Sequence, residues 1–289
     1  MLWAVLALLA AGPAAPQEKA RAERVVVISV DGLRPDAIEA AGASNLLGLI
    51  KAGAFCPKAE TIRPSVTLPS HASMLTGLSY KRHGVTFNDW HEGHIRHPTV
   101  FAVVHEAKGA TAAFFAKEKF HYLTDPKYVD SIYGDAHEAR GPPTKAADIA
   151  DAFARAWSDK PPVFTFVHLR EPDSAGHKHG WMGPEYLAAV KQADEAIGKI
   201  VASMRARGGF DKNALIVSAD HGGKGKDHHQ DIPDNTTIPW ICVGPRVPAG
   251  LLIDRVVRTY DTAPTALAFL NLGIPGKIDG KIVEEVFPK

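Results

Sequence analysis

An α/β fold with a mostly parallel central sheet and helices on both faces is what this sequence predicts, and three observations carry the expectation. Short apolar runs rich in β-branched residues occur at Arg24–Val30, 110–116, 162–169, Asn213–Ser218 and 238–243. Runs of that length without polar alternation suit strands buried on both faces. Stretches with helical spacing fall between them, near 44–52, 99–108, 144–157, 184–206 and 262–271, and strands alternating with helices argue for a parallel sheet covered on both sides. Finally, 289 residues at 45% hydrophobic content can bury one large core, and no Ser/Gly-rich linker or internal repeat divides them.

In chain order, the segment from Leu2 to Ala11 is apolar, too short to span a bilayer comfortably, and followed by the small residues Gly12, Ala14 and Ala15. That is the outline of an export signal, although no Lys or Arg precedes the apolar run. Residues 1–22 are expected to be a signal peptide and flexible lead, residues 23–289 a single domain, and the mature protein periplasmic or secreted. The strand Arg24–Val30 ends in Asp31-Gly32. Beyond the 44–52 helix, Thr67-Leu68-Pro69 leads into a short helix over 70–75, with proline at its entry. The 110–116 strand runs into Lys117-Glu118-Lys119, and residues 117–145, polar and weakly periodic, are expected to form a small insertion near the site. The 162–169 strand leads to Asp173-Ser174-Ala175-Gly176-His177, and Asn213–Ser218 leads to Ala219-Asp220-His221-Gly222-Gly223, with His228 shortly after. The last helix opens at Asp261-Thr262-Ala263-Pro264, a cap with proline just inside.

Three strands thus deliver Asp31, Asp173 and Asp220 to one edge of the sheet, the edge where α/β folds bind ligands. A single such aspartate is ordinarily a helix cap or a surface group; three with histidine partners point elsewhere. Asp31, Asp173, His177, Asp220, His221 and His228 offer three carboxylates and three imidazoles, too many for one tetrahedral zinc and suited to two. The expected cofactor is a pair of divalent metal ions, zinc being the first choice. Thr67 lies at a helix N-terminus, where free N–H groups and the helix dipole favour an anion. Alone it would be a plain cap; beside a metal that lowers its hydroxyl pKa it becomes a nucleophile.

Asp31-Gly32, the Pro64-Ser65-Val66-Thr67-Leu68-Pro69-Ser70-His71 segment, Glu171-Pro172-Asp173-Ser174-Ala175-Gly176-His177, and Ala219-Asp220-His221-Gly222-Gly223 with His228 resemble, in order, the motifs of the alkaline phosphatase superfamily. The nearest branch is the type I phosphodiesterase/nucleotide pyrophosphatase one, and the resemblance extends over about residues 24–245. It implies an alkaline phosphatase-like fold in which Asp31, Thr67, Asp220 and His221 hold one zinc while Asp173, His177 and His228 hold the other. It also implies that Asn88 binds a phosphoryl oxygen and that phosphoric esters are cleaved through a phospho-threonine at Thr67. The Gly-x-x-His spacing from Gly225 favours His228 over the adjacent His229.

Two departures bear on substrate. Thr67-Leu68-Pro69-Ser70-His71 lacks both the Cys or Ser and the Arg of the sulfatase motif Cys/Ser-x-Pro-x-Arg, which makes a sulfatase a poor reading. Superfamily members that cleave monoesters and phosphonates place a Lys-x-Lys or Lys-x-Arg pair near the site, where diesterases tend to use apolar residues. Lys117 and Lys119 are therefore candidate substrate contacts that keep monoester or phosphonate hydrolysis as the alternative to diester or nucleotide pyrophosphate cleavage. A non-catalytic protein that recognises phosphorylated ligands on the same metals is the rival from another class; it would need no activated hydroxyl at Thr67.

A net charge of +1 and the lack of a basic tract favour a small phosphorylated substrate over polymeric nucleic acid. No apolar stretch suits a stable membrane span. Cys56 and Cys242 are expected to be free thiols.

Overall fold

In the computed structural model, residues 22–134 and 144–287 are described, so nearly all of the expected signal segment and part of the expected insertion lie outside the described residues. Eight strands form a sheet: β1 (Arg24–Val30), β2 (Ala54–Glu60), β3 (Thr111–Phe115), β4 (Ser131–Gly134), β5 (Phe164–Leu169), β6 (Asn213–Ser218), β7 (Thr237–Val243) and β8 (Leu251–Leu252). Their spatial order is β4-β3-β5-β1-β6-β7-β2-β8. All described pairings are parallel except those of β7, which runs antiparallel to β6 and β2. The mostly parallel sheet expected from the apolar runs is therefore present. Its central strands β1, β5 and β6 are buried at every residue but Arg24, and each fully buried Val, Ile or Leu there contributes about 1.5–3 kcal/mol.

The helices are α1 (Pro35–Ala40), α2 (Ser44–Ala52), α3 (Thr67–Thr76), α4 (Tyr80–His83), α5 (Val100–Glu106), α6 (Ala146–Asp159), α7 (Glu171–His179), α8 (Pro184–Arg205), α9 (Gly209–Lys212), α10 (Pro233–Thr236) and α11 (Thr262–Phe269). Two groups cover the sheet: α2 and α6 pack on the long α8, while α3, α5 and α11 pack together. None of the helices among the described residues is long and apolar enough to cross a membrane.

Several elements depart from the sequence reading for identifiable reasons. Strand β2 carries Pro57 and Lys58, and its register with β7 shifts between Cys56 and Ala59; proline is tolerated at such an irregularity and hides the strand pattern. Strand β4 falls in the segment expected as an insertion. It is a short, partly exposed edge strand beside β3, with no apolar run to announce it. Helix α3 begins at Thr67 rather than Ser70, with Pro69 in its first turn. Helix α7 occupies Glu171–His179, where no helix was foreseen, because it buries only Pro172, Asp173 and Gly176 and so shows no apolar stripe.

Candidate active site

Hydrogen bonds from backbone N–H groups stitch the carboxyl ends of β1, β5 and β6 together. The Asp31 N–H donates to Leu169 O (2.9 Å), the Asp173 N–H to Asp31 O (3.0 Å) and the Gly32 N–H to Asp220 Oδ1 (3.1 Å). Gly32 has φ +71°, and a Cβ there would lie 3.0 Å from Asp173 Cα, so the close approach of the Asp31 turn to α7 requires glycine. Trp181 Nε1–H and Tyr186 O–H both donate to Gly32 O, each at 2.9 Å, and fix this turn from outside. Helix α7 places Asp173 and His177 one turn apart, with His177 Nε2 3.3 Å from Asp173 Oδ1. The loop after Asp220 passes over Trp181, whose indole would overlap a side chain at Gly223. The loop is then clamped to the segment before α3, where His228 Nδ1–H donates to Ser65 O (2.7 Å) and Ser65 Oγ–H donates to His228 O (2.6 Å).

Three histidines share one arrangement. Nδ1 of His177, His221 and His228 faces the carbonyl oxygens of Lys226 (3.0 Å), Gly222 (2.8 Å) and Ser65 (2.7 Å), respectively. A carbonyl can only accept, so Nδ1 carries the proton; in the neutral ring Nε2 then keeps its lone pair, the form that binds metals. His221 Nε2 lies 3.4 Å from Asp31 Oδ1, 3.3 Å from Asp220 Oδ2 and 3.8 Å from Asp173 Oδ1. All four of these atoms are buried and lack a hydrogen-bond partner. Acceptors facing acceptors at this range need a cation or a shared proton between them, and a set of three carboxylates around an imidazole lone pair fits metal ions. Among the described residues, two groups have ligand atoms within 4.8 Å of one another, Asp31–Asp220–His221 and Asp173–His221–His228. His221 thus belongs to both, whereas His177, 43% exposed, sits at the rim beside Asp173. His228 is buried and His229 is 62% exposed, in keeping with His228 as the inward-facing member of the pair.

Lys117 is buried, not solvated: its Nζ lies 2.6 Å from Asp31 Oδ2 and 2.7 Å from Asp173 Oδ2. Burial alone would raise both carboxyl pKa values, yet the ammonium, with His168 at Asp31 and His177 at Asp173, holds both below the usual range. Asp220 lacks such a partner, and burial together with the Asp31 charge pushes it up to about 7. Lys119 stands at the start of the 3₁₀ turn Glu118–Leu123, and burial together with the neighbouring Lys117 charge lowers its pKa.

Thr67 is buried and occupies the first position of α3; the cap position belongs to Val66, which has no polar side chain. Asn88 does the capping instead, its Oδ1 accepting from the Leu68 N–H at 2.9 Å, which leaves the Asn88 amide N–H₂ to donate elsewhere. The Thr67 segment is anchored from below by His71, whose Nδ1–H donates to Thr67 O at 2.7 Å, and by Ser70 Oγ–H, which donates to Asp220 O at 2.9 Å. His168 and Trp181 escaped the sequence reading, and His71 was noted there only as the last residue of the Thr67 segment, without a role. A lone His inside the apolar β5 run was the available signal for His168; nothing local marked Trp181.

Burial pushes His71, His83 and His168 down to about 4 and His228 to about 3, whereas in the unfolded chain they titrate near 6.5. The unfolded state then binds more protons between those limits, so stability is present above about pH 6.5 and is lost as pH falls toward 4. The raised pKa values of Asp220 and His177 act in the opposite sense and offset part of this. Chelator-treated protein is expected to show a lower urea midpoint at about pH 5 than at about pH 7.5. Equal midpoints would mean that these imidazoles are not held neutral.

Fold and site together define an α/β protein of the alkaline phosphatase kind, with a cluster of candidate metal ligands at the carboxyl edge of its sheet. More particularly, the chain belongs to the type I phosphodiesterase/nucleotide pyrophosphatase family, whose sequence model matches residues 25–242. Among curated proteins it is 25% identical over 223 residues to bis(5′-adenosyl)-triphosphatase enpp4 of Mus musculus, covering 70% of this chain and 47% of that protein. It is 24% identical over 219 residues to ectonucleotide pyrophosphatase/phosphodiesterase family member 3 of Rattus norvegicus, 68% of this chain and 24% of that one. The chain thus spans about half or less of the length of these relatives. In fold it is similar to an inactive form of murine ectonucleotide pyrophosphatase/phosphodiesterase 5 in complex with AMP (TM-score 0.78, 13% identity, 92% of this chain and 100% of that chain). It is also similar to a phosphonate monoester hydrolase of Agrobacterium radiobacter (TM-score 0.66, 15% identity, 91% and 77%).

Proposed function

We propose that this protein hydrolyses phosphoric esters, preferring diesters or nucleotide pyrophosphates, with Thr67 as nucleophile and two divalent ions, zinc by preference, bound by Asp31, Asp173, His177, Asp220, His221 and His228. The observation that carries the reading is the set of four buried acceptor atoms with no donor among them, tied through Ser65, Ser70 and His71 to a helix that starts at Thr67. Bound metal ions supply a lowered hydroxyl pKa and charge neutralisation. Thr67 Oγ1 attacks phosphorus in line and the ester oxygen leaves; water then attacks from the opposite side and frees the phosphoryl group from Thr67. The Asn88 amide and the free N–H groups of the first turn of α3 hold the non-bridging oxygens. The diester preference follows the family; the nucleotides named for its relatives make a nucleotide-like substrate the first to try.

The buried Lys117 and the neighbouring Lys119 favour a second reading, monoester or phosphonate hydrolysis. The discriminating experiment is kcat/KM on p-nitrophenyl phosphate and bis-p-nitrophenyl phosphate, with and without zinc, for wild type, Lys117→Ala and Lys119→Ala. Zinc-dependent diester cleavage is expected. A lysine that touches substrate contributes roughly 1.5–3 kcal/mol, so its removal lowers kcat/KM by about 10- to 150-fold, more for the dianionic monoester. A wild type that strongly prefers the monoester, and loses that preference in either variant, would promote the second reading. Zinc binding with no hydrolysis of any phosphoester would leave a binding protein.

A further inference from the structure

We propose that His168 is a positioning residue for the metal centre, holding the Asp31 carboxylate from inside the sheet so that its Oδ1 stays directed at a cation. The proposal rests on the metal reading above. His168 lies on β5 in register with Ser29 of β1, two residues before Asp31. Its ring is fully buried, with Phe120 at 4.3 Å and His71 at 5.4 Å between centroids. Unlike His177, His221 and His228, it has no ring nitrogen left for a metal. Nδ1 accepts from the Ala116 N–H (3.4 Å), which requires the proton on Nε2, and Nε2–H donates to Asp31 Oδ2 at 2.8 Å. Asp31 Oδ2 is thereby occupied, while Oδ1 is orphaned and faces His221 Nε2. Lys117 also touches Oδ2, but it reaches there on a long flexible side chain, whereas the imidazole is locked by the strand and by the rings around it. Without the His168 bond the carboxylate is free to rotate and to present either oxygen, and orientation of this kind is worth about 10- to 100-fold in metal affinity.

The test is zinc affinity, read by competition with a chromophoric chelator, for wild type, His168→Leu and His168→Gln. The Gln amide nitrogen reaches about as far from the backbone as imidazole Nε2 and restores a donor. Leu is expected to weaken the tighter site by about 10- to 100-fold with the melting temperature of the chelated protein near wild type, and Gln to recover most of that loss. A folded His168→Leu protein with wild-type affinity overturns the proposal alone; a wild type that binds no zinc overturns it together with the metal reading. Should Leu fail to fold, ¹⁵N imidazole spectra of wild type decide. The His168 signals are expected to show the Nε2–H tautomer and to shift on zinc addition, and the other tautomer or an unmoved signal overturns the assignment.

Discussion

Thr67→Ala is expected to fold, to keep its metals and to lose turnover by about 10³-fold or more. The retained fold follows from position. Thr67 is the first residue of α3 and not its cap, and the Leu68 N–H it precedes is satisfied by Asn88. Removal of one small buried hydroxyl and methyl there costs on the order of 1 kcal/mol. The carboxylates and imidazoles that form the two ligand groups are untouched. The loss of turnover follows from chemistry: the other hydroxyl in the first turn of α3, Ser70, donates to Asp220 O at 2.9 Å, and only Thr67 stands at the first helical position. The checks are circular dichroism, melting temperature, metal content and kcat/KM on bis-p-nitrophenyl phosphate. A well-folded Thr67→Ala protein with wild-type turnover would remove Thr67 from the mechanism.

The second large effect is expected at Asp220, and it has opposite signs for function and for stability. Asp220→Asn keeps an Oδ1 that accepts from the Gly32 and His221 N–H groups, at 3.1 and 3.0 Å in the native site, while it removes the charge at the orphaned Oδ2. Loss of a direct ligand exceeds the 10- to 100-fold typical of an outer partner, so metal content should fall by about one ion and kcat/KM by at least about a hundredfold. In the chelated protein the same substitution removes a carboxylate that burial and Asp31 push up to about 7. A raised acid pKa means that ionisation costs stability, and the cost grows as pH rises from the unfolded value near 3.8 through 7. Metal-free Asp220→Asn should therefore melt above metal-free wild type at about pH 8, a difference on the order of a few kcal/mol. A variant that melts lower in chelator, or that keeps full metal content, would contradict the site as described.

Much of the fold was legible because strands β1, β3, β5 and β6 are buried on both faces and mostly apolar, so their runs stand out without an alternating face. The aspartates at the ends of two of them and on α7 were legible because each interrupts or closely follows such a run. Strands β2, β4 and β8 were not, since an edge or irregular strand with Pro57, Lys58 or only two residues has no pattern to show. Helix α7 was invisible because it has no apolar stripe: Pro172, Asp173 and Gly176 are the residues it buries, and His177 lies one turn after Asp173. Lys117 was read as one of a pair of cations after β3, and only the sheet order, which sets β3 beside β5 and β5 beside β1, brings its ammonium between Asp31 and Asp173. His168 needed the same information, because its partner Asp31 lies on a strand that is distant in sequence.

The central claim, a phosphoryl group carried on Thr67, is tested most directly by the stereochemical course at phosphorus. A phosphorothioate diester of known configuration, cleaved in ¹⁸O-labelled water, is expected to yield a product with net retention, since displacement by Thr67 and then by water inverts the centre twice. Net inversion would mean that water attacks the ester in a single displacement, and Thr67 would then have no covalent part in the reaction.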